Sequence, residues 1–211
     1  MLAELTVLVT EAPWTLSCMH RARAHQAGLS DEDILHAIEL SSYFGHLNRI
    51  ADAVAVPLDY EVEIMPPTAD PSVAPWPSSP NLVVGRPAIE ASLRPATANA
   101  LASWRTYMFD RDAPLTRRQR TVIARWVALW LGDGGISPPD DLTFNPLDDA
   151  LRALAEQVTL SPWTLGDHSF DELRAEGFDD AALFDACAVA STTGVLSRIT
   201  VALSALGRER S

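Results

Sequence analysis

The sequence predicts an all-α chain that contains one helix pair twice, and three observations carry that prediction. Val9-Thr10-x-x-Pro13-Trp14-Thr15-Leu16 returns as Val158-Thr159-x-x-Pro162-Trp163-Thr164-Leu165. The offset of 149 then holds without a gap between residues 9–53 and 158–202, with 15 identities. A fixed offset over a whole segment is the mark of a repeated structural unit. Apolar residues recur at helical spacing in several segments, and none shows the alternation of a strand.

Residues 17–27 read as a short helix, with Ser17 able to cap its first turn and Gly28 to end it. A longer helix follows from Asp31 to Val54, opened by Ser30 and by acids that suit a helix N-terminus. Its stripe Leu40, Phe44, Leu47, Ala51 and Val54 has helical spacing and is expected to face the core. The opposite flank, Ala37, Ser41, Ser42 and Gly45, is small enough for another backbone to approach. Burial over most of this helix is the expectation. Residues 57–95 hold nine of the fifteen prolines and read as an extended linker. Two more helices are predicted over 96–109 and 115–131, the second packing through Val122, Ile123, Trp126, Val127, Leu129 and Trp130. Gly132-Asp133-Gly134-Gly135 ends it. The second unit repeats the plan, with a short helix near 167–176 and a long one over 180–206. Its uncharged run Ala186–Ser197 should make it the most buried element.

Trp14 and Trp163, each after a proline, are expected to plug the helix pairs. Asp31 and Arg49 recur together as Asp180 and Arg198, which suggests an ion pair at the start of each long helix.

Composition narrows the function classes. Sixteen basic against 28 acidic residues give a net charge of −12, which repels nucleic acid and anionic membranes. Every basic residue is arginine, so Schiff-base and phosphate-loop lysine chemistry are excluded. Two cysteines, Cys18 and Cys187, give neither a disulfide framework nor a cysteine zinc site. The first residues lack the pattern of a signal peptide, and no uncharged apolar run suggests a membrane span. A cytoplasmic chain is expected, with no partner among membranes or nucleic acids.

Three stretches carry a family resemblance. Residues 27–56 (AGLSDEDILHAIELSSYFGHLNRIADAVAV) and 176–203 (EGFDDAALFDACAVASTTGVLSRITVAL) resemble the C-terminal half of the AhpD-like, carboxymuconolactone decarboxylase superfamily, especially its peroxidase-related branch. Residues 114–135 (PLTRRQRTVIARWVALWLGDGG) resemble the N-terminal half of that family. The resemblance implies a C-type half repeat over 1–56, the linker, and an AhpD-like domain over 96–211. That domain has an N-type half at 96–135 and a C-type half at 148–207, and the whole is expected to form one compact unit. Active relatives use a Cys-x-x-Cys pair with a histidine and a glutamate to reduce hydroperoxides. The matching positions here fall near Asp133, Ile136, Asp140 and Thr121, and the chain contains no Cys-x-x-Cys.

Candidate site residues are therefore few. Cys18 sits at a predicted helix start, where the dipole favours a thiolate, with His20 nearby. Its repeat counterpart is Asp167, so the thiol is not part of the shared plan. Glu39, Ser42, His46 and Arg49 form a polar row at helical spacing, readable as a buried hydrogen-bonded network or as a proton-transfer or anion site. Glu39 and His46 are the catalytic candidates of that row, and Ser42 and Arg49 the ligand-binding ones. Cys187 reads as inert core, and His25 and His36 as solvent-facing. No metal or cofactor is expected. The leading reading is a catalytically degenerate binding or assembly protein, at least a homodimer, with a small-molecule ligand left open. The alternatives are a peroxidase-related enzyme and a thiol-free proton-transfer or decarboxylase-type enzyme acting on a small carbonyl acid.

Overall fold

Burial of α8 (Asp180–Leu206) organises the molecule, because its two ends sit in two different apolar clusters. The computed structural model describes residues 1–56, 94–135 and 145–207. Among these residues the other α-helices are α1 (Leu2–Glu11), α2 (Cys18–Gln26), α3 (Asp31–Ala53), α4 (Pro95–Phe109), α5 (Arg117–Trp130), α6 (Pro146–Leu160) and α7 (Asp171–Ala175). Three 3-10 turns join them: η1 (Pro13–Thr15), η2 (Pro162–Thr164) and η3 (Asp167–Phe170). No described residue lies in a strand, and the chain is all-α. The linker, apart from its last two residues, lies outside the described residues, as do 136–144.

The helix starts are built from local chemistry. Ser30 Oγ accepts from Asp33 N at 3.1 Å, and the Asp33 carboxylate accepts from Ser30 N at 2.8 Å, a capping box at α3. Asp179 does half of this for α8, accepting from Ala182 N at 2.8 Å. Thr116 and Gln119 form a second capping box at α5. Gly28 and Gly177 turn the chain into the long helices with φ of +86° and +89°, a region glycine enters without strain. Ser17 stands at the N-cap of α2, but its hydroxyl meets His20 Nδ1 at 3.1 Å instead of a backbone amide.

The N-terminal part of α8 packs with α5 and α6 around Ile123, Val127, Leu151, Leu154 and Val189. Its C-terminal part packs with α1 and α3 around Leu5, Val9, Ile38, Val195 and Ile199. By length and hydropathy α8 could cross a bilayer, a property the uncharged-run criterion missed. In this fold 89% of that apolar window is buried inside the protein, so the core accounts for its composition.

The order α1, η1, α2, α3 is matched by α6, η2, η3 with α7, and α8. The two sets also engage reciprocally. Turn η1 packs on α8 and turn η2 on α3. Arg198 Nε donates to Thr10 O at 2.9 Å, while Arg49 Nη2 donates to Thr159 O at 3.1 Å. Thr10 and Thr159 lie in the last turns of α1 and α6, where carbonyls lack intrahelical partners and the dipole is negative. Each arginine therefore caps a helix of the other set.

Four expectations are corrected here. The ion pairs Asp31–Arg49 and Asp180–Arg198 do not form, since eighteen residues of helix separate the partners by about 27 Å. Asp31 instead binds Arg21 at 2.5 Å and His25 at 2.9 Å, and Asp180 binds Arg174 at 3.5 Å. Trp163 is 75% exposed and plugs nothing; the buried residue of each turn is the proline, Pro13 or Pro162. Trp14 does pack against the core, half-buried. Within the stripe expected in the core, Leu40, Phe44, Leu47 and Val54 are exposed. The buried face of α3 is Ile34, Ile38, Ser42 and Arg49, with Glu39 beside it. Spacing fixes which residues share a face, while the small flank decided which face could approach α8. Burial over most of α3 is corrected with it.

Candidate functional site

The polar row of α3 is present, and its members diverge to different neighbours. Glu39 is buried and pairs through Oε2 with Arg94, the N-cap residue of α4, while Arg94 also meets His36 Nδ1 at 3.0 Å. The other Glu39 oxygen and the Ser42 hydroxyl are buried without a hydrogen-bond partner. His46 Nδ1 lies 2.7 Å from Ser191 Oγ, and Ser191 can donate to His46 O at 3.2 Å. Ser191 Oγ has one proton for these two contacts, so one imidazole tautomer donates to it and the other accepts from it. Ser191 is also fully buried. Burial, and then the charge of Arg49, lower the pKa of His46.

Arg49 donates to Gly45 O at 2.7 Å and to Thr159 O, and Arg198 donates to Gly194 O at 3.3 Å. Among the described residues no carboxylate bonds directly to either, and burial lowers Arg49 to about 10 and Arg198 well below the usual guanidinium value. Both glycines leave room for this fold-back. A Cβ at Gly45 would stand 2.9 Å from Arg49 Nη1, and one at Gly194 would stand 2.7 Å from Arg198 Nη1. The row ties α3 to α4, α6 and α8 rather than converging on a reacting centre.

Cys18 is the first residue of α2 and half-buried, and the His20 imidazole is engaged by Ser17. Cys187 is buried, and desolvation pushes its thiol up to about 12. His25 and His36 are exposed. Of the positions that the resemblance equates with the redox site, Ile136 and Asp140 lie outside the described residues. Asp133 is buried, with one oxygen accepting from Gly135 N at 3.0 Å and the other from Ser197 Oγ at 2.9 Å. Thr121 is exposed and donates to Arg117 O of its own helix at 2.8 Å. Both Asp133 oxygens and the Thr121 hydroxyl proton are thus taken up by structural hydrogen bonds.

No protein-family model, curated protein or solved structure matches this chain. The candidate chemistry therefore rests on the residues alone.

The structure adds groups that the sequence reading passed over. Arg120 is buried and donates to Met108 O at 2.8 Å, Leu115 O at 3.2 Å and Arg111 O at 3.1 Å, and it pairs with Asp185. Arg111 binds the second Asp185 oxygen at 2.8 Å. The signal was available: Arg120 lies three and seven residues before Ile123 and Val127, on the apolar face of α5. Two clefts also occur, of about 390 Å³ and about 400 Å³. The first lies between the end of α3 and the start of α8, with Asp52, Asp167 and Arg174 on its walls. The second lies between the end of α8 and the start of α3, with Arg21 and Arg94. Asp180 and Leu183 in one match Asp31 and Ile34 in the other at the offset of 149. Neither is lined by Glu39, His46 or Cys18. No group of three or more His, Cys, Asp or Glu among the described residues could hold a metal ion.

Proposed function

We propose that this chain is a binding or assembly protein of AhpD-like construction, built on a duplicated helix pair and without the thiol chemistry of that superfamily. The observation that carries the reading is Asp133. It stands where the resemblance calls for the first redox cysteine, buried and held by Ser197 and Gly135. A carboxylate there transfers no electrons, and the sequence supplies no Cys-x-x-Cys anywhere. The reciprocal capping by Arg49 and Arg198 supports the duplication, because it is the contact pattern expected when two copies of one unit pack about a two-fold axis. The polar row of α3 serves as the glue between the copies, and the assembly self-associates at least as a homodimer.

The test is an assay of alkyl hydroperoxide reduction with a dithiol reductant. No thiol-dependent turnover is expected. Robust turnover lost in Cys18→Ser would overturn the reading.

A further inference from the structure

The i, i+4 row His36, Leu40, Phe44 and Asn48 runs exposed along α3. At the same offset of 149, the matching row on α8 is Asp185, Val189, Thr193 and Ser197, and every member is buried. That row is covered by α5 and the turn after it: Arg120 pairs with Asp185, and Ser197 bonds to Asp133 at 2.9 Å. The open face carries the larger and more apolar residues. Leu40, Tyr43, Phe44 and Leu47 stand where α8 has Val189, Thr192, Thr193 and Leu196. A face that meets only water has no use for that substitution of aromatics for threonines.

We propose that this face of α3 docks a second copy of the chain, α3 against α3, across a two-fold axis passing near Phe44. The inference rests on the assembly reading above and names its surface. The area is sufficient. Leu40, Tyr43, Phe44, Leu47, Val54 and Val56 are each between 41% and 57% exposed. Together they offer on the order of 500 Å² of apolar surface, so a symmetric pair reaches about 1,000 Å², the lower bound of a specific interface. Charge selects the occupant. A two-fold axis places like residues against like, which apolar residues tolerate and charges do not. Between Leu40 and Val56 the ionisable side chains are Tyr43, a neutral phenol, His46 and Arg49, held to Ser191 and Thr159, and the exposed Asp52, two turns from Phe44 and so about 24 Å from its own copy across the axis. On a chain of net charge −12 this is a place where two copies can meet without opposing their own charge. The α8 counterpart shows that a helix fits such a row.

The experiment uses Phe44→Asp and Phe44→Arg in the full chain, followed by light scattering and circular dichroism. The wild type is expected to be a dimer at micromolar concentration. Each variant alone should stay helical and dissociate, with a dimer Kd raised roughly 30-fold or more, as for a central aromatic anchor. Mixing the two variants should restore a heterodimer, because opposite charges then meet at the axis. Trp163→Asp, a change at an exposed aromatic elsewhere, should leave the dimer intact. A monomeric wild type overturns both this proposal and the assembly reading. A Phe44→Asp protein that remains dimeric overturns this surface while leaving assembly standing. Failure of the mixed variants to pair overturns the two-fold placement at Phe44.

Discussion

On α8 the residues Asp185, Val189, Thr193 and Ser197 are closed over by α5, and on α3 the matched His36, Leu40, Phe44 and Asn48 meet solvent. The two helices share a start, a crossing glycine and a capping arginine, so the difference lies in what a third helix covers. Where α5 lies, the sequence places an acid for Arg120 and small β-branched residues that let backbones approach. Where no such helix lies, it places leucine and aromatics. The same contrast runs through the crossing: His46 meets Ser191, but the residue matching His46 is Val195, and Ser42, which matches Ser191, is left without a partner. One side of the crossing keeps a polar contact and the other has lost it.

The sharpest way to break the comparison is to put one charge at matched positions. Val189→Glu buries an unpaired carboxylate and should cost more than about 4 kcal/mol or prevent folding. Leu40→Glu, already 42% exposed, should change the stability of the monomer fold by less than about 0.5 kcal/mol, its cost falling on the contact between copies. Urea denaturation against a monomeric reference such as Phe44→Asp checks this, and equal losses would show that the α3 face is covered within the chain. The next pair is Asp185→Ala against His36→Ala. Removing Asp185 strands the buried Arg120 guanidinium and should cost about 3–5 kcal/mol. Removing His36 leaves only an exposed contact to Arg94, and its unfolding midpoint should stay near that of the wild type.

Much of the architecture was legible in the residues, for reasons that these pairs expose. Ser30 followed by Asp33, and Thr116 followed by Gln119, announce helix starts through a local hydrogen-bond pattern, and both helices begin there. The small flank of α3 correctly signalled a close crossing. What periodicity could not supply was the cover: Leu40, Phe44 and Leu47 share a face by spacing alone, but water, a helix of the same chain and a second chain all satisfy that spacing. Helix α6, which precedes the second Pro-Trp-Thr turn, is written just as plainly, with Asn145 as cap, Pro146 at its first position and Leu151, Leu154 and Val158 on one face. The polar row of α3 was visible as a row, whereas its divergence was not, since Arg94, Ser191 and Thr159 lie 55, 145 and 110 residues from their partners. Contacts at such separations belong to tertiary structure.

The crossing itself offers a smaller test. Gly→Ala inside a helix ordinarily stabilises by about 1 kcal/mol. At Gly194 the new methyl would press on a guanidinium held by the carbonyls of Thr10, Thr159 and Gly194, so Gly194→Ala should instead destabilise by about 1–3 kcal/mol. Gly45→Ala should show the same sign with a smaller size, because Arg49 retains more contact with solvent than Arg198. Thermal unfolding of the two variants measures the order, and a gain in stability at Gly194 would show that Arg198 has room to move.

The smallest expected effect is the pH dependence carried by His46, which has no counterpart at Val195. Its pKa is lowered from 6.5 in the folded chain, first by burial and then by Arg49, so the folded imidazole stays neutral where the unfolded one takes up a proton. The contribution is therefore complete above the unfolded pKa near 6.5 and is lost as pH falls from there toward the lower folded value. Partial exposure of the ring keeps the slope shallow. His46→Gln preserves an N–H for Ser191 Oγ but cannot titrate, so the difference in unfolding free energy between wild type and variant should shift against the wild type between about pH 7 and pH 5. A flat difference across that range would mean that the imidazole is protonated as easily in the fold as out of it. The Ser191 contact would then hold an imidazolium, and the neutral polar bridge drawn for this side of the crossing would be wrong.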